Sequence, residues 1–271
     1  MDLGLRDRAY LVTGGSRGLG FAAAQALVAE GSRVLLSAPH QATASAAAER
    51  LGQDAAAGTA AWIVADNADP AAPGQLITAA RDRFGRLDGA LISVGGSPAG
   101  TIAAAGDDAW RSAFETVFLG AVRLARALAA DLSGTSQDGA GTTASLTGTG
   151  GSIALVLAAS VRTPLPGLAI SNGFFPGLAG VVKTLADEHG PSGIRINGLL
   201  PVRIATDRVR QLDALSGDPD EVRGRLSQTI PLRRYGEPAE FGRTAAFLLS
   251  PAASYITGAM IPVDGGAIRS I

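Results

Sequence analysis

Residues 10–21, Tyr10 to Phe21, read Y-L-V-T-G-G-S-R-G-L-G-F, and this stretch decides the fold. Ala9–Thr13 is a short apolar run of strand formers. Gly14, Gly18 and Gly20 follow, then an alanine-rich helical pattern from Phe21 to Glu30. Strand, glycine-rich turn and helix in that order aim backbone N–H groups and a helix N-terminus at a diphosphate. Glycine is required where the backbone approaches phosphate closely or takes positive φ. The spacing T-G-x-x-x-G-x-G differs from the G-x-G-x-x-G dinucleotide fingerprint. A merely tight connection is the other reading of such a turn. Its place after the first predicted strand of a long chain favours the ligand-binding one.

Composition narrows the classes. The chain has 271 residues, enough for a large core, and a formal net charge of −1, so there is no basic footprint for nucleic acid. Cysteine is absent, which removes disulfides, a thiol nucleophile and zinc–thiolate sites. His40 and His189 are the only histidines, and no metal-ligand spacing appears. No apolar run approaches ~18 residues, and M-D-L-G-L-R-D-R carries no signal core. The expectation is a soluble, cytoplasmic protein with no membrane or nucleic-acid partner.

Apolar runs alternate with helical patterns along nearly the whole length, which predicts a doubly wound parallel α/β sheet of about seven strands with helices on both faces. Strands are expected near 9–13, 33–37, 60–64, 89–93, 152–158, 194–200 and 260–263. Helices are expected near 18–30, 41–51, 73–84, 108–132, 168–189 and 238–249. Residues 1–271 are read as one domain. Ser37-Ala38-Pro39-His40 follows the second strand, where an acidic residue would bond the ribose 2′-hydroxyl of NAD. None is present, and Arg17 is placed to meet a 2′-phosphate, so NADP(H) is favoured over NAD(H); a solvated loop arginine is the alternative. Asp66 and Asn67 follow the third strand, where they can bond adenine. Ser93 and Gly95 lie in the small-residue turn ending the fourth. Phe114, Val117, Phe118, Ala121, Leu124 and Leu128 fall at helical spacing, as core or subunit interface. Ser133–Gly150, rich in Gly, Ser and Thr, reads as a flexible insertion at the N-terminal edge of the sheet.

The chain resembles the short-chain dehydrogenases/reductases over nearly its full length. Thr13–Gly20 matches that family's T-G-x-x-x-G-x-G. Leu91–Gly96, L-I-S-V-G-G, sits where the family has a strand ending in N-N-A-G. Gly193–Thr206, G-I-R-I-N-G-L-L-P-V-R-I-A-T, is similar to its G-I-R-V-N-x-x-x-P-G-x-x-x-T, and Y-I-T-G-A-M-I-P-V-D-G-G closes the pattern. The resemblance implies a Rossmann-type domain, 3-oxoacyl reductase-like, acting on a small-molecule substrate as a homotetramer or homodimer. It implies nucleotide contacts at Gly14, Ser16, Arg17, Gly18, Leu19, Gly20, Ala38, Asp66, Asn67, Ser93, Gly95, Pro201 and Thr206.

The resemblance also implies a catalytic Asn, Ser, Tyr and Lys, and here the transfer fails. Val117 aligns with the asparagine, in V-F-L-G against N-L-x-G. Ala158 aligns with the serine, with Ser160 two residues later. Ser171 and Phe175 align with the Tyr-x-x-x-Lys pair. Serine does not titrate near neutrality, and phenylalanine has no charge to depress a neighbour's pKa. General acid–base transfer is worth roughly 10²–10⁴-fold in rate. Ser171 and Ser160 are the candidate substitutes, but no histidine or carboxylate is evident to activate either. Val202 replaces a glycine that faces the nicotinamide in relatives. Pro176 lies inside the sixth helical pattern, so an irregular Ser171–Phe175 or a helix bend is expected. Residues 203–234 match a charged substrate lid, whose Arg203, Arg208 and Arg210 either meet an acidic substrate or form a solvated face. These features predict a divergent enzyme with altered or non-redox chemistry. The alternatives are a non-catalytic subunit in a hetero-oligomer with an active relative, or a dinucleotide-binding sensor.

Overall fold

The computed structural model of the protein describes residues 2–53, 58–137 and 150–270. Seven parallel strands form one sheet in the order β3-β2-β1-β4-β5-β6-β7. They are β1 (Ala9–Thr13), β2 (Arg33–Ala38), β3 (Thr59–Val64), β4 (Gly89–Ile92), β5 (Ser152–Val156), β6 (Arg195–Pro201) and β7 (Met260–Val263). Every residue of β1, β4 and β5 is buried, as a parallel sheet covered on both faces demands. In register, Leu11 of β1 lies between Leu35 of β2 and Ala90 of β4. The chain builds outward from β1 to β3, then returns to place β4 on the other side of β1. That reversal opens a crevice at the carboxyl ends of β1 and β4.

Helices α1 (Gly18–Ala29), α2 (Gln41–Gln53) and α9 (Pro238–Leu249) cover one face, around Leu27, Leu36, Leu51, Phe241 and Leu248. Helices α3 (Ala72–Phe84), α5 (Gly120–Gln137) and α6 (Ala169–His189) cover the other, around Leu76, Leu128, Ile153 and Leu178. The backbones of α1 and α9 touch: a side chain at Gly242 would begin 2.3 Å from the Ala22 carbonyl oxygen. The carbonyls that α9 leaves unpaired at its C-terminal end are met by distant residues. Tyr10 Oη donates to Leu249 at 3.2 Å, Ser152 Oγ to Leu248 at 3.1 Å, and the buried Arg195 guanidinium to Leu248 and Ser250 at 2.9 Å each. Among the described residues no helix is long and apolar enough to cross a membrane.

Three expectations change. The helix expected over 108–132 is three pieces: α4 (Asp107–Ala113), a π-helical turn (Phe114–Leu119) and α5. Apolar spacing does not separate i+4 from i+5 bonding over a single turn, so the sequence could not mark the bulge. The supposed loop Ser133–Gly150 begins as helix, because α5 runs to Gln137. There Ser133 Oγ donates to the Ala129 carbonyl at 2.7 Å and lies 3.0 Å from His189 Nδ1. Residues 138–149 of that expected insertion lie outside the described residues. Helix α6 runs unbroken through Pro176, so Ser171–Phe175 is regular helix. The proline removes a single N–H, and the rest of the ladder carries the helix past it. The region 203–234, expected as a substrate lid and called the lid below, holds two short helices, α7 (Asp207–Ala214) and α8 (Pro219–Ser227).

Candidate active site and nucleotide cleft

The glycine turn leaves the end of β1 and enters α1 at the crevice. Gly14 takes φ +58° and Gly18 φ +56°, conformations that side chains disfavour. A side chain at Gly20 would begin 2.4 Å from the Gly14 carbonyl oxygen, so only glycine closes this loop. Arg17 occupies the N-cap of α1 without a side-chain cap bond, and no acidic residue stands in the first turn. By contrast, Thr206 caps α7, Asp218 caps α8, and a Glu237–Glu240 capping box closes α9. Helix α1 therefore presents first-turn N–H groups that no side chain answers, which is what an anionic diphosphate requires.

The other residues assigned to the nucleotide stand at the same carboxyl edge. Ala38 ends β2 and is buried. Asp66 Oδ1 accepts from the Ala68 N–H at 2.9 Å, which holds the loop after β3. Ser93, beyond β4, exchanges bonds with the Thr13 hydroxyl of β1, at 3.0 and 3.1 Å. Gly95 faces open space. Pro201 ends β6, and the Thr206 hydroxyl is committed to the Val209 N–H of α7.

The four positions that the sequence reading set against the family's catalytic residues also lie together, in or beside apolar packing. Val117 lies in the π turn and is 2% exposed; Phe175 in α6 is 7% exposed. Both belong to one hydrophobic cluster with Leu157, and Ala158 packs against it. Ser171, 6% exposed, sits in the first turns of α6, where its carbonyl accepts from Ser160 Oγ at 3.4 Å. The two serines are neighbours, but the bond uses backbone and activates neither hydroxyl. Asn172 clamps Leu165 through its N–H and carbonyl, at 2.9 Å each, so it is spent on holding the loop before α6.

The tyrosines and the lysine of the chain stand away from this cluster. The chain has three tyrosines. Tyr10 is buried in β1, where burial pushes its phenol far above its ordinary value. Tyr235 donates to Asp213 at 3.0 Å, and its phenol is likewise raised, chiefly by burial. Tyr255 is fully exposed beyond α9. Lys183, the sole lysine, stands eight residues after Phe175, about 12 Å further along the helix axis. Its Nζ lies 3.4 Å from where a side chain at Gly258 would begin.

The lid arginines have distinct partners. Arg203, at φ +51°, pairs with buried Asp213, and Arg210 pairs with Asp220 at 2.9 Å. Arg208 instead reaches across the crevice and donates to the Ser97 carbonyl at 2.7 Å. Its Nε lies 2.9 Å from where a side chain at Gly96 would begin. The Ser97 hydroxyl beside it is buried and has no hydrogen-bond partner among the described residues. Sequence reasoning named Arg208 only as one of several lid arginines and did not single out Ser97; no local signal marks a contact between residues so far apart.

The family model described as enoyl-(acyl carrier protein) reductase matches residues 14–267. This chain belongs to the short-chain dehydrogenase/reductase family. Within the family, L-rhamnose 1-dehydrogenase (NAD(P)(+)) of Azotobacter vinelandii is 33% identical over 268 residues, covering 97% of each chain. Levodione reductase of Leifsonia aquatica is 32% identical, covering 96% of this chain and 94% of that one. Among solved structures, a levodione reductase superposes with a TM-score of 0.89 at 26% identity, over 98% of this chain and 99% of the other. The L-sorbose reductase of Gluconobacter frateurii, solved with NADPH and L-sorbose, gives 0.86 at 27% identity, over the whole of both chains. The likeness to these short-chain dehydrogenase/reductase relatives thus runs over nearly the full length, in sequence and in fold.

Proposed function

We propose that this protein binds NADP(H) at the Gly14–Gly20 turn and acts on a small molecule by chemistry other than the family's usual acid–base hydride transfer. One observation carries the reading: Val117 and Phe175 lie in the same apolar cluster beside Ser171, while every tyrosine and the lysine stand elsewhere. The uncapped N-terminus of α1 supports diphosphate binding, and Arg17 supports a 2′-phosphate. NADP(H), when bound, supplies or accepts hydride. Among the described residues, no tyrosine or lysine stands beside Val117, Ser171 and Phe175 to deliver the matching proton to a carbonyl. Ser171 and Ser160 are the polar groups left to orient a substrate. The domain is read as residues 1–271, working as a homo-oligomer on a small-molecule substrate.

Calorimetric titration with NADPH and NADH tests the nucleotide half, with micromolar binding and preference for NADPH as the expected result. Absence of binding to either would reduce the turn to inherited scaffold. A carbonyl-reduction assay tests the chemical half. Robust NADPH-dependent turnover, abolished by Ser171→Ala, would overturn it. A second reading is a non-catalytic subunit paired with an active relative. Phe114 supports it: 40% exposed, it stacks on Phe118 with ring centroids 5.6 Å apart and offers apolar surface to a partner.

A further inference from the structure

A cavity of about 470 Å³ lies under the lid, along the Gly18–Phe21–Gln25 stripe of α1. Helix α2, the two lid helices and the N-terminus of α9 complete its walls. It shares only Arg17, Gly18 and Thr206 with the residues assigned to the nucleotide, and none with the Val117–Ser171–Phe175 region. The volume is in the range of small-ligand pockets.

Its walls carry four arginines, Arg17, Arg50, Arg210 and Arg223, against two acids, Asp207 and Asp213. Asp213 is already committed to Arg203 and Tyr235. Arg210 is answered by Asp220, and Arg223 stands 4.0 Å from Glu237. Arg17 and Arg50 form no ion pair or side-chain hydrogen bond among the described residues. In a chain with net charge −1, this cationic surplus is local, not a product of overall composition. Two of the guanidiniums are held in place by aromatic rings: Arg50 lies 4.4 Å over Phe21, and Arg223 lies 5.3 Å over Tyr235. Stacking fixes each planar fork before a ligand arrives, which lowers the ordering cost of binding. A guanidinium fork matches phosphate oxygens bidentately.

We propose that this cavity is a second anion site, distinct from the nucleotide cleft, which binds a phosphate-bearing small molecule between α1 and the lid. Arg50 and Arg223 are its specific ligands, and Arg17 borders both sites. A ligand there touches α1 and the lid helices together, so its occupancy is coupled to the position of the lid.

The test is calorimetric titration of the full chain with inorganic pyrophosphate at low ionic strength. It is run with and without saturating NADPH, on wild type, Arg50→Gln and Arg223→Gln. The expected result is one pyrophosphate per chain in the presence of NADPH, weakened about tenfold or more by each substitution, since a lost charge-assisted bond is worth about that much. NADPH affinity should stay unchanged in both variants. Both arginines are at the surface, and thermal midpoints check that the variants fold. Two positions keep the test alive if one variant fails. Pyrophosphate affinity that is absent, or equal in wild type and both variants, overturns the proposal. So does succinate binding as tightly as pyrophosphate. If NADPH does not bind but pyrophosphate still responds to Arg50→Gln, the anion site stands and the nucleotide reading falls.

Discussion

At the scale of single residues, the cleft is decided by what a few side chains can donate. Arg17 is the only cation at the glycine turn, and a 2′-phosphate is the group that distinguishes NADPH from NADH. Arg17→Gln is expected to lower NADPH affinity about tenfold or more and leave NADH nearly unchanged, because one charge-assisted bond is worth about 1.5–3 kcal/mol. Equal losses for both nucleotides would remove the 2′-phosphate role. Ser97 gives a prediction of opposite sign. Its buried hydroxyl has no partner among the described residues, and an unpaired buried polar group costs about 1–3 kcal/mol. Ser97→Ala should therefore raise the thermal midpoint; a clear fall would show that the hydroxyl has a partner in solution. The glycine turn was legible from residue identities alone, because Gly14, Gly18 and Gly20 answer a local backbone demand. The Arg208–Ser97 contact was not. It joins residues 111 positions apart, and nothing in either neighbourhood encodes it.

At the scale of elements, strands and helices followed from apolar periodicity because a parallel sheet covered on both faces leaves continuous buried runs. All seven strands lie within two residues of where the pattern placed them. The pattern failed where bonding changes without a change in side-chain spacing, as at the π turn around Val117, and where one composition serves both loop and helix, as at Ser133–Gln137. It also misjudged Ser171–Phe175, which α6 carries as helix up to Pro176. Helix α9 offers a test in pH. Glu240 accepts from the Glu237 N–H at 2.7 Å and from both terminal nitrogens of Arg234, which hold its carboxyl down at about 2. A depressed folded-state pKa contributes stability above the unfolded value near 4.5 and loses it as pH falls toward 2. Glu240→Gln should thus lower the thermal midpoint at neutral pH, with the gap from wild type closing between pH 4.5 and 2. Solvent screening at this exposed site keeps the effect small. A gap independent of pH would assign the loss to something other than the carboxylate.

At the scale of the whole molecule, the aromatic cluster of Trp110, Phe114, Phe118 and Phe174 is the candidate surface for the second chain proposed above. A charge there must be desolvated to enter an interface. Phe114→Asp is expected to shift the mass measured by light scattering toward a single chain, while NADPH binding remains. An unchanged oligomer would move the interface elsewhere. The junction of α1 with α9 has a different consequence, one of timing. The first strand and helix finish their core only against residues near the C-terminus, where Tyr10 meets Leu249 across 239 positions. A ribosome adding about 5–20 residues per second needs on the order of ten to fifty seconds to supply them. For that interval the nascent N-terminal half carries an unfinished apolar face.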